Sequence, residues 1–286
     1  MDRAILGFVE AAVGAPIRME PHPTDRNLRV MTARGTYYLK RFRGARKLVQ
    51  AREFLDEFAP RLAERIAVSP DGHLDPPPIP RVVAAAPELG ALLLEGLPGT
   101  NADLDPRGRT ERTFRTAGVL LRALHSLPVE DSDPVPIAAA LEARAKALLE
   151  RCGGEARAAA RLALERLGGL DLKGARRVPC HRDFELRNWL IDARAAVRIV
   201  DFEHARLDHP VVDLVRLACF EWPGRPELES AFLEGYGGPC DEPVLVAIST
   251  LDTAATLAWA ERHRDHEYAA RGVRMLSAIE KRSERP

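Results

Sequence analysis

The sequence predicts an α+β protein of two lobes: a small N-terminal one on an antiparallel sheet and a larger, mainly helical C-terminal one. Three observations predict it. Up to Glu95 the apolar pattern alternates between helical period and period two, in the order helix, hairpin, helix, hairpin. Beyond Gly99 it keeps helical period over several long segments. The linker-like places are the "PPPIP" run and the "GLPG" segment, and the second puts the division at residues 1–95 and 96–286.

Taken in order, "DRAILGFVEAAV" (2–13) places Ile5, Phe8, Val9, Ala12 and Val13 on one helical face. In "LRVMTARGTYYLKRF", Val30 and Thr32, then Tyr38 and Lys40, show strand period about a turn at "ARG". "RKLVQAREFLDEFAPRLAER" returns to helical period through Leu48, Phe54, Leu55, Phe58 and Leu62. The loop "SPDGHLDPPPIP" is neither helix nor central strand, because proline fixes φ and offers no N–H. "RVVAAA" and the apolar run "GALLLEGL" read as two strands.

In the second lobe, "RTERTFRTAGVLLRALHSL" aligns Phe114, Ala117, Leu121 and Leu124, and Pro128 stops the helix. "PIAAALEARAKALLERC" and "EARAAARLALERLGGL" form a helical pair joined at Gly153–Gly154. Two short apolar strands, "WLI" and "VRIV", flank a turn at Asp192–Ala193. Helices follow Pro210, over 227–236 and 243–261 among others.

Composition bounds the function. Of 286 residues 46% are hydrophobic, and 42 basic residues balance 42 acidic ones. A neutral chain lacks the basic excess of a nucleic-acid or membrane-surface binder, so neither partner is expected. Cys152, Cys180, Cys219 and Cys240 are widely spaced, which fits free thiols in a reducing compartment better than disulfides or zinc. Asp2 and Glu10 exclude a signal peptide, and Asp252 with several hydroxyls breaks the apolar stretch "VLVAISTLDTAATLAWA". The expectation is a cytoplasmic protein, monomeric or weakly dimeric.

The chemistry concentrates in "HRDFELRN" and "VDFEHA". A hairpin of this length returns the end of its second strand to the start of its first. Asn188 and Asp201 therefore meet at one end, with Asp183 in the loop just before. An amide oxygen and two carboxylates in one place suit Mg²⁺, which takes oxygen ligands and keeps waters for a phosphate-bearing substrate. Zinc does not fit, since the histidines lack ligand spacing and no cysteine pair accompanies them.

His181-x-Asp183-x-x-x-x-Asn188, followed by Asp201-Phe202-Glu203, resembles the catalytic loop and metal-binding triplet of the protein-kinase-like fold. Within that fold it is most similar to the aminoglycoside phosphotransferase and choline-kinase-like small-molecule kinases. Arg182 stands where those enzymes carry glycine, while Glu203 and Asp213 match the small-molecule branch. The resemblance implies ATP and Mg²⁺ as cofactors, with Asp183 catalytic and Asn188 and Asp201 on the metal. It also implies that Lys40 orients the phosphates, paired with Glu53 on the next helix or with Glu57 one turn on. In "LLLEGLPG" it assigns the Glu95 carbonyl and the Leu97 N–H to the adenine, and it makes His125 structural and His181 a brace for the loop. The phosphate loop departs from the pattern: no glycine lies between Gly14 and Gly35, leaving main-chain N–H groups of Thr24–Asn27 to cradle the phosphates.

The resemblance further implies a small hydroxylated acceptor, bound by the helices of roughly 135–168 and 207–270. From Glu203 to Glu267 thirteen acidic residues face five basic ones, which suits a cationic acceptor, although the neutral whole chain weighs against a polycationic aminoglycoside. Glu221, Trp222, Trp259, Glu261 and Asp265 are the candidate cleft residues. Three readings remain: an ATP-dependent O-phosphotransferase acting on a small hydroxylated molecule such as an aminoglycoside or other antibiotic, a metabolic kinase for choline, a sugar or an amino alcohol, and a nucleotide-binding pseudokinase. A protein kinase is excluded because "DFEHARLDHPVVD" leaves no room for an activation segment.

Overall fold

The computed structural model describes residues 3–21, 27–67 and 77–284. Most of the phosphate-loop stretch (22–26) and part of the proline-rich loop (68–76) lie outside them. The N-terminal lobe comprises α1 (Arg3–Val13), β1 (Arg18–Pro21), β2 (Asn27–Thr32), β3 (Gly35–Arg41), α2 (Ala45–Ala67), β4 (Val82–Ala86) and β5 (Ala91–Glu95). The five strands form one antiparallel sheet in the order β1-β2-β3-β5-β4. Strand β1 is absent from the sequence reading: four residues with a half-exposed pattern carry no alternation, and pairing with β2 makes it a strand.

The two faces of this sheet have separate cores. Ile5, Val9 and Val13 of α1 pack with Val30, Leu39, Leu93, Ala86 and Ala91. On the other face, Leu92 and Leu94 join Leu48, Ala51, Phe54 and Leu55 of α2. Because strand side chains alternate, Leu39 commits Lys40 to the α2 side, directly opposite Leu92. The core on that side runs unbroken into the second lobe, so α2 is packed by both.

The second lobe holds β6 (Thr100–Asn101), α3 (Glu111–His125), α4 (Ile137–Arg151), α5 (Gly154–Gly168), β7 (Val178–Cys180), β8 (Trp189–Ile191), β9 (Val197–Ile199), β10 (Arg206–Asp208), α6 (Pro226–Tyr236), α7 (Glu242–His263) and α8 (His266–Ser283). Thr110 caps α3 by accepting the Thr113 N–H, and Asp241 and Asp265 cap α7 and α8 in the same way. Helix α7 has the length and apolarity to cross a membrane, but 78% of that window is buried among the other helices. Its three buried threonine hydroxyls are satisfied within the helix: Thr250, Thr253 and Thr256 each donate to the carbonyl one turn back.

Helices α3 and α6 cross at backbone contact through two glycines. A Cβ on Gly235 would lie 2.0 Å from the Arg115 carbonyl oxygen, and one on Gly118 would lie 2.3 Å from that of Phe232. Gly235→Ala should therefore destabilise the protein by about 1–3 kcal/mol, even though alanine favours a helix by roughly 1 kcal/mol. Denaturant titration checks this; stability at or above wild type refutes the close crossing.

Candidate active site

A fully buried carboxylate fixes the loop that carries the chemistry. Asp213 accepts the main-chain N–H groups of His181 (2.8 Å) and Arg182 (2.5 Å), and its Oδ2 lies 3.0 Å from His125 Nε2. His125 Nδ1 is 2.7 Å from the Tyr236 hydroxyl, so the loop is tied through one residue to α3 and α6. The pull on two successive N–H groups holds Arg182 at φ +66°. The Arg182 side chain turns away and lies 3.0 Å from Asp208 Oδ2, which Arg206 (3.1 Å) and Arg144 (3.5 Å) also approach. Burial alone would raise the Asp208 pKa; the three guanidiniums outweigh it and lower it.

His181 has no free nitrogen for proton transfer. Its Nδ1 accepts the Asp183 N–H (3.2 Å), so Nε2 carries the proton, donated to the Val200 carbonyl at 2.8 Å. The ring is a neutral strut, as expected for a brace. It packs against Phe202 at 4.6 Å, and Phe202 stacks on Phe54 of α2 at 5.7 Å. Gln50, also on α2, donates to the Ala205 carbonyl.

The hairpin assembles the oxygen ligands. Trp189 opposes Ile199, and the Val200 N–H bonds the Asn188 carbonyl, which sets Asn188 beside Asp201. Asp192 makes the turn by accepting from Arg194 and Ala196 N–H, and it pairs with the buried Arg198 at 2.7 Å. Asn188 donates its amide to the carbonyl (2.8 Å) and Oδ2 (3.0 Å) of Asp183. That orientation turns the Asn188 side-chain oxygen, Oδ1, away from Asp183, and among the described residues it accepts no hydrogen bond. Asp201, at φ +72°, forms an ion pair with Lys40. Glu203 is held down to about 2 by the His204 imidazole 3.1 Å away, with Lys40 and Lys47 adding to it. An amide oxygen beside these carboxylates fits a hard, oxygen-seeking cation such as Mg²⁺.

One expected pair is not formed. Lys40 meets Asp201, whereas Glu53 stands exposed on α2. The helical period explains this, because the buried stripe of Leu48, Leu55 and Leu62 puts Glu53 on the opposite face. Glu57 faces outward too and pairs with Arg61 at 3.1 Å. At the linker, Glu95 donates its N–H to Arg81 and Gly96 to Thr36, which ends the sheet. Leu97 N–H enters no such main-chain bond among the described residues, and Gly99 (φ +133°) brings the linker against Ile191. Of the phosphate-loop candidates, Thr24, Asp25 and Arg26 lie outside the described residues; Asn27 begins β2.

On its far side Asp183 belongs to a ladder of alternating charge. Asp252 lies 3.2 Å from Arg216, and Arg216 Nε lies 3.9 Å from Asp183 Oδ1. Asp183 Oδ2 accepts from Arg187 (2.9 Å), Arg187 Nε meets Glu185 (2.5 Å), and Glu185 meets Arg271 (2.5 Å). Burial would raise the Asp183 pKa, but the Arg187 and Arg216 guanidiniums bring it down to about 2. Glu185 goes the other way: burial and the Asp183 charge raise it against Arg271 and Arg187. Burial would lower Arg216, and Asp252 with Asp183 raises it instead. Arg216 and Arg271 escaped sequence reasoning because their partners are remote in the chain; no local pattern marks them.

The acidic excess of Glu203–Glu267 is partly offset by arginines from outside that stretch: Arg109 on Glu221, Arg115 on Glu234, Arg144 and Arg182 on Asp208, and Arg282 on Glu229 and Glu242. Trp222 is core, packed against Phe232. Glu261 and Asp265 line a separate cleft of about 420 Å³ with Gly153 and Arg264. Only Trp259 of the candidate cleft residues is an exposed aromatic, stacked on His263 at 4.1 Å and against Tyr268 at 4.6 Å.

A small antiparallel lobe joined to a helical one, with a carboxylate–amide–carboxylate cluster facing a strand lysine, defines a phosphoryl-transfer scaffold. The model of the phosphotransferase enzyme family, APH, matches residues 24–247, and the chain belongs to that family. No curated protein matches the sequence. Among solved structures, the AMP-bound spectinomycin phosphotransferase APH(9)-Ia is similar at TM-score 0.71 and 12% identity, over 99% of this chain and 98% of that one. Choline kinase LicA from Streptococcus pneumoniae gives 0.67 and 16% over 98% of each chain. Macrolide 2′-phosphotransferase MphH from Brachybacterium faecium gives 0.64 and 16%, over 96% and 97%. These likenesses extend the shared fold over nearly the whole chain.

Two outcomes are expected from this geometry. Asp213→Ala leaves two loop N–H groups and His125 without their acceptor and should cost about 3–5 kcal/mol in denaturant titration. The Asp183 carboxyl titrates in the native state below its ordinary 3.8, at about 2. Its share of stability is thus complete above pH 4 and is lost as pH falls toward 2. The stability difference between wild type and Asp183→Asn should be flat from pH 7 to 4 and shrink below; a shrinkage already at pH 6 contradicts the assigned environment.

Proposed function

We propose that this phosphotransferase moves the γ-phosphate of ATP to a hydroxyl of a small molecule, with Asp183 as its catalytic carboxylate. The observation that carries the reading is the convergence of Lys40 from β3 with Asp183, Asn188 and Asp201 from the catalytic loop and hairpin. In the proposed division of labour, residues 1–95 bind the nucleotide and 96–286 supply the chemistry and the acceptor site. Lys40 holds phosphate oxygens, and the Glu95 carbonyl and Leu97 N–H bind the adenine edge. Asn188 and Asp201 would hold Mg²⁺, which supplies charge neutralisation for the transferring phosphoryl group. Glu53 has no part in this arrangement.

Asp183 accepts a hydrogen bond from the acceptor hydroxyl, aims its oxygen at the γ-phosphorus and takes the proton late in the transfer. A carboxyl that titrates near 2 is a weak base, so its contribution is orientation more than proton abstraction. Asn188 holds that carboxylate by its Oδ2, and the His181 strut holds the main chain that carries it. The cytoplasm is the proposed location, in keeping with an ATP supply and with four free thiols.

The test is ADP release and product mass against a panel of hydroxylated antibiotics, choline-type amino alcohols, sugars and hydroxy acids. Asp183→Asn should lower acceptor-dependent turnover roughly 10²–10⁴-fold while Mg²⁺·ATP still raises the melting temperature. Turnover near wild type in that variant removes Asp183 from the mechanism.

A further inference from the structure

The ladder beside Asp183 speaks to the class of acceptor. Its carboxylates are sheltered: the Asp183 side chain is 14% exposed, Glu185 12% and Asp252 29%. Arg187 is 52% exposed. An incoming molecule therefore meets a guanidinium first. Arg271 stands next in line, bound to Glu185 and seated over the Phe220 ring at 4.4 Å.

Neither guanidinium is saturated. Arg187 donates Nη2 to Asp183, its Nε lies 2.5 Å from Glu185 Oε1 in an ion pair that is not a hydrogen bond, and its Nη1 enters none of the described hydrogen bonds. Arg271 gives Nη2 to Glu185, and its Nε is buried without a partner. The two oxygens of Asp183 are also unequal. Oδ2 already accepts from Arg187 and Asn188, while Oδ1 has only Arg216 at 3.9 Å. The acceptor hydroxyl thus has Oδ1 to face, with Arg187 on the other side of the same carboxylate.

We propose that the acceptor is a hydroxylated anion, and that Arg187, backed by Arg271, receives its carboxylate or phosphate group. The proposal rests on the phosphotransferase reading above and deepens it. A planar guanidinium offers paired N–H donors that match a carboxylate or phosphate. A polycation would instead be repelled at the entrance, and Glu221, Glu229 and Glu242 of this lobe are already paired with arginines. Arg187 is then a specificity-determining residue, and Glu185 limits its strength by sharing it.

The experiment compares acceptors on matched skeletons with the full-length protein, Mg²⁺ and ATP: hydroxy acids, sugar phosphates, neutral polyols, and hydroxylated amines including choline and aminoglycosides. The expected result is Asp183-dependent turnover of an anionic class, with the first two arms telling carboxylate from phosphate. Arg187→Met should raise KM for that acceptor roughly 10- to 100-fold, with a smaller change in kcat, and raise KM for the matched neutral analogue much less. Arg187→Lys should recover part of the loss. Arg271→Gln, with its melting temperature as folding control, should raise KM in the same direction. More efficient turnover of cationic acceptors, or an unchanged KM in Arg187→Met, overturns the proposal and leaves the phosphotransferase reading standing. If Mg²⁺·ATP stabilises the protein and no class is turned over, both fall.

Discussion

The site depends on one carboxylate that never meets substrate. Asp213 is wholly buried, and its charge is sustained by two main-chain N–H groups and a histidine. Such burial is tolerable only when the lone pairs are used, and here they hold two consecutive residues of the catalytic loop. Everything downstream inherits that position. The left-handed turn at Arg182 aims Asp183, Asp183 orients the Asn188 amide, and the hairpin register then brings Asp201 alongside.

The lobes are coupled by two kinds of contact. Apolar stacking runs from Phe54 on α2 through Phe202 to His181, so the helix that packs the sheet also packs the loop. The Lys40–Asp201 pair adds a charged link between the sheet and the hairpin. Both meet at "DFE": Phe202 faces the core while its neighbours Asp201 and Glu203 face the opening. The single positive φ at Asp201 permits that split.

Much of this was legible in sequence because it is local. Period two on β3 placed Lys40, and the length of the hairpin placed Asn188 near Asp201. The glycine pair at 153–154 marked the turn between α4 and α5. What failed was distant. Glu53 was expected from the family resemblance as a glutamate on the helix after Lys40, yet the helical stripe that decides its direction points it to solvent. Part of the acidic excess of Glu203–Glu267 was offset for the same reason, since counter-charges come from Arg109, Arg115, Arg144, Arg182 and Arg282, outside that stretch. Arg216 reaches Asp183 only through the packing of the segment after Asp213.

Arg182 and Asp208 carry a last consequence. Where a loop arginine waits for a phosphorylated residue, the ordering of the segment is conditional, and the protein has two states to choose between. Here the counter-charge is encoded as Asp208, buried and shared with Arg144 and Arg206. The segment between Asp201 and Asp213 is thereby set at translation, with no covalent event required to complete it. The shape of that segment is thus written in its own charges.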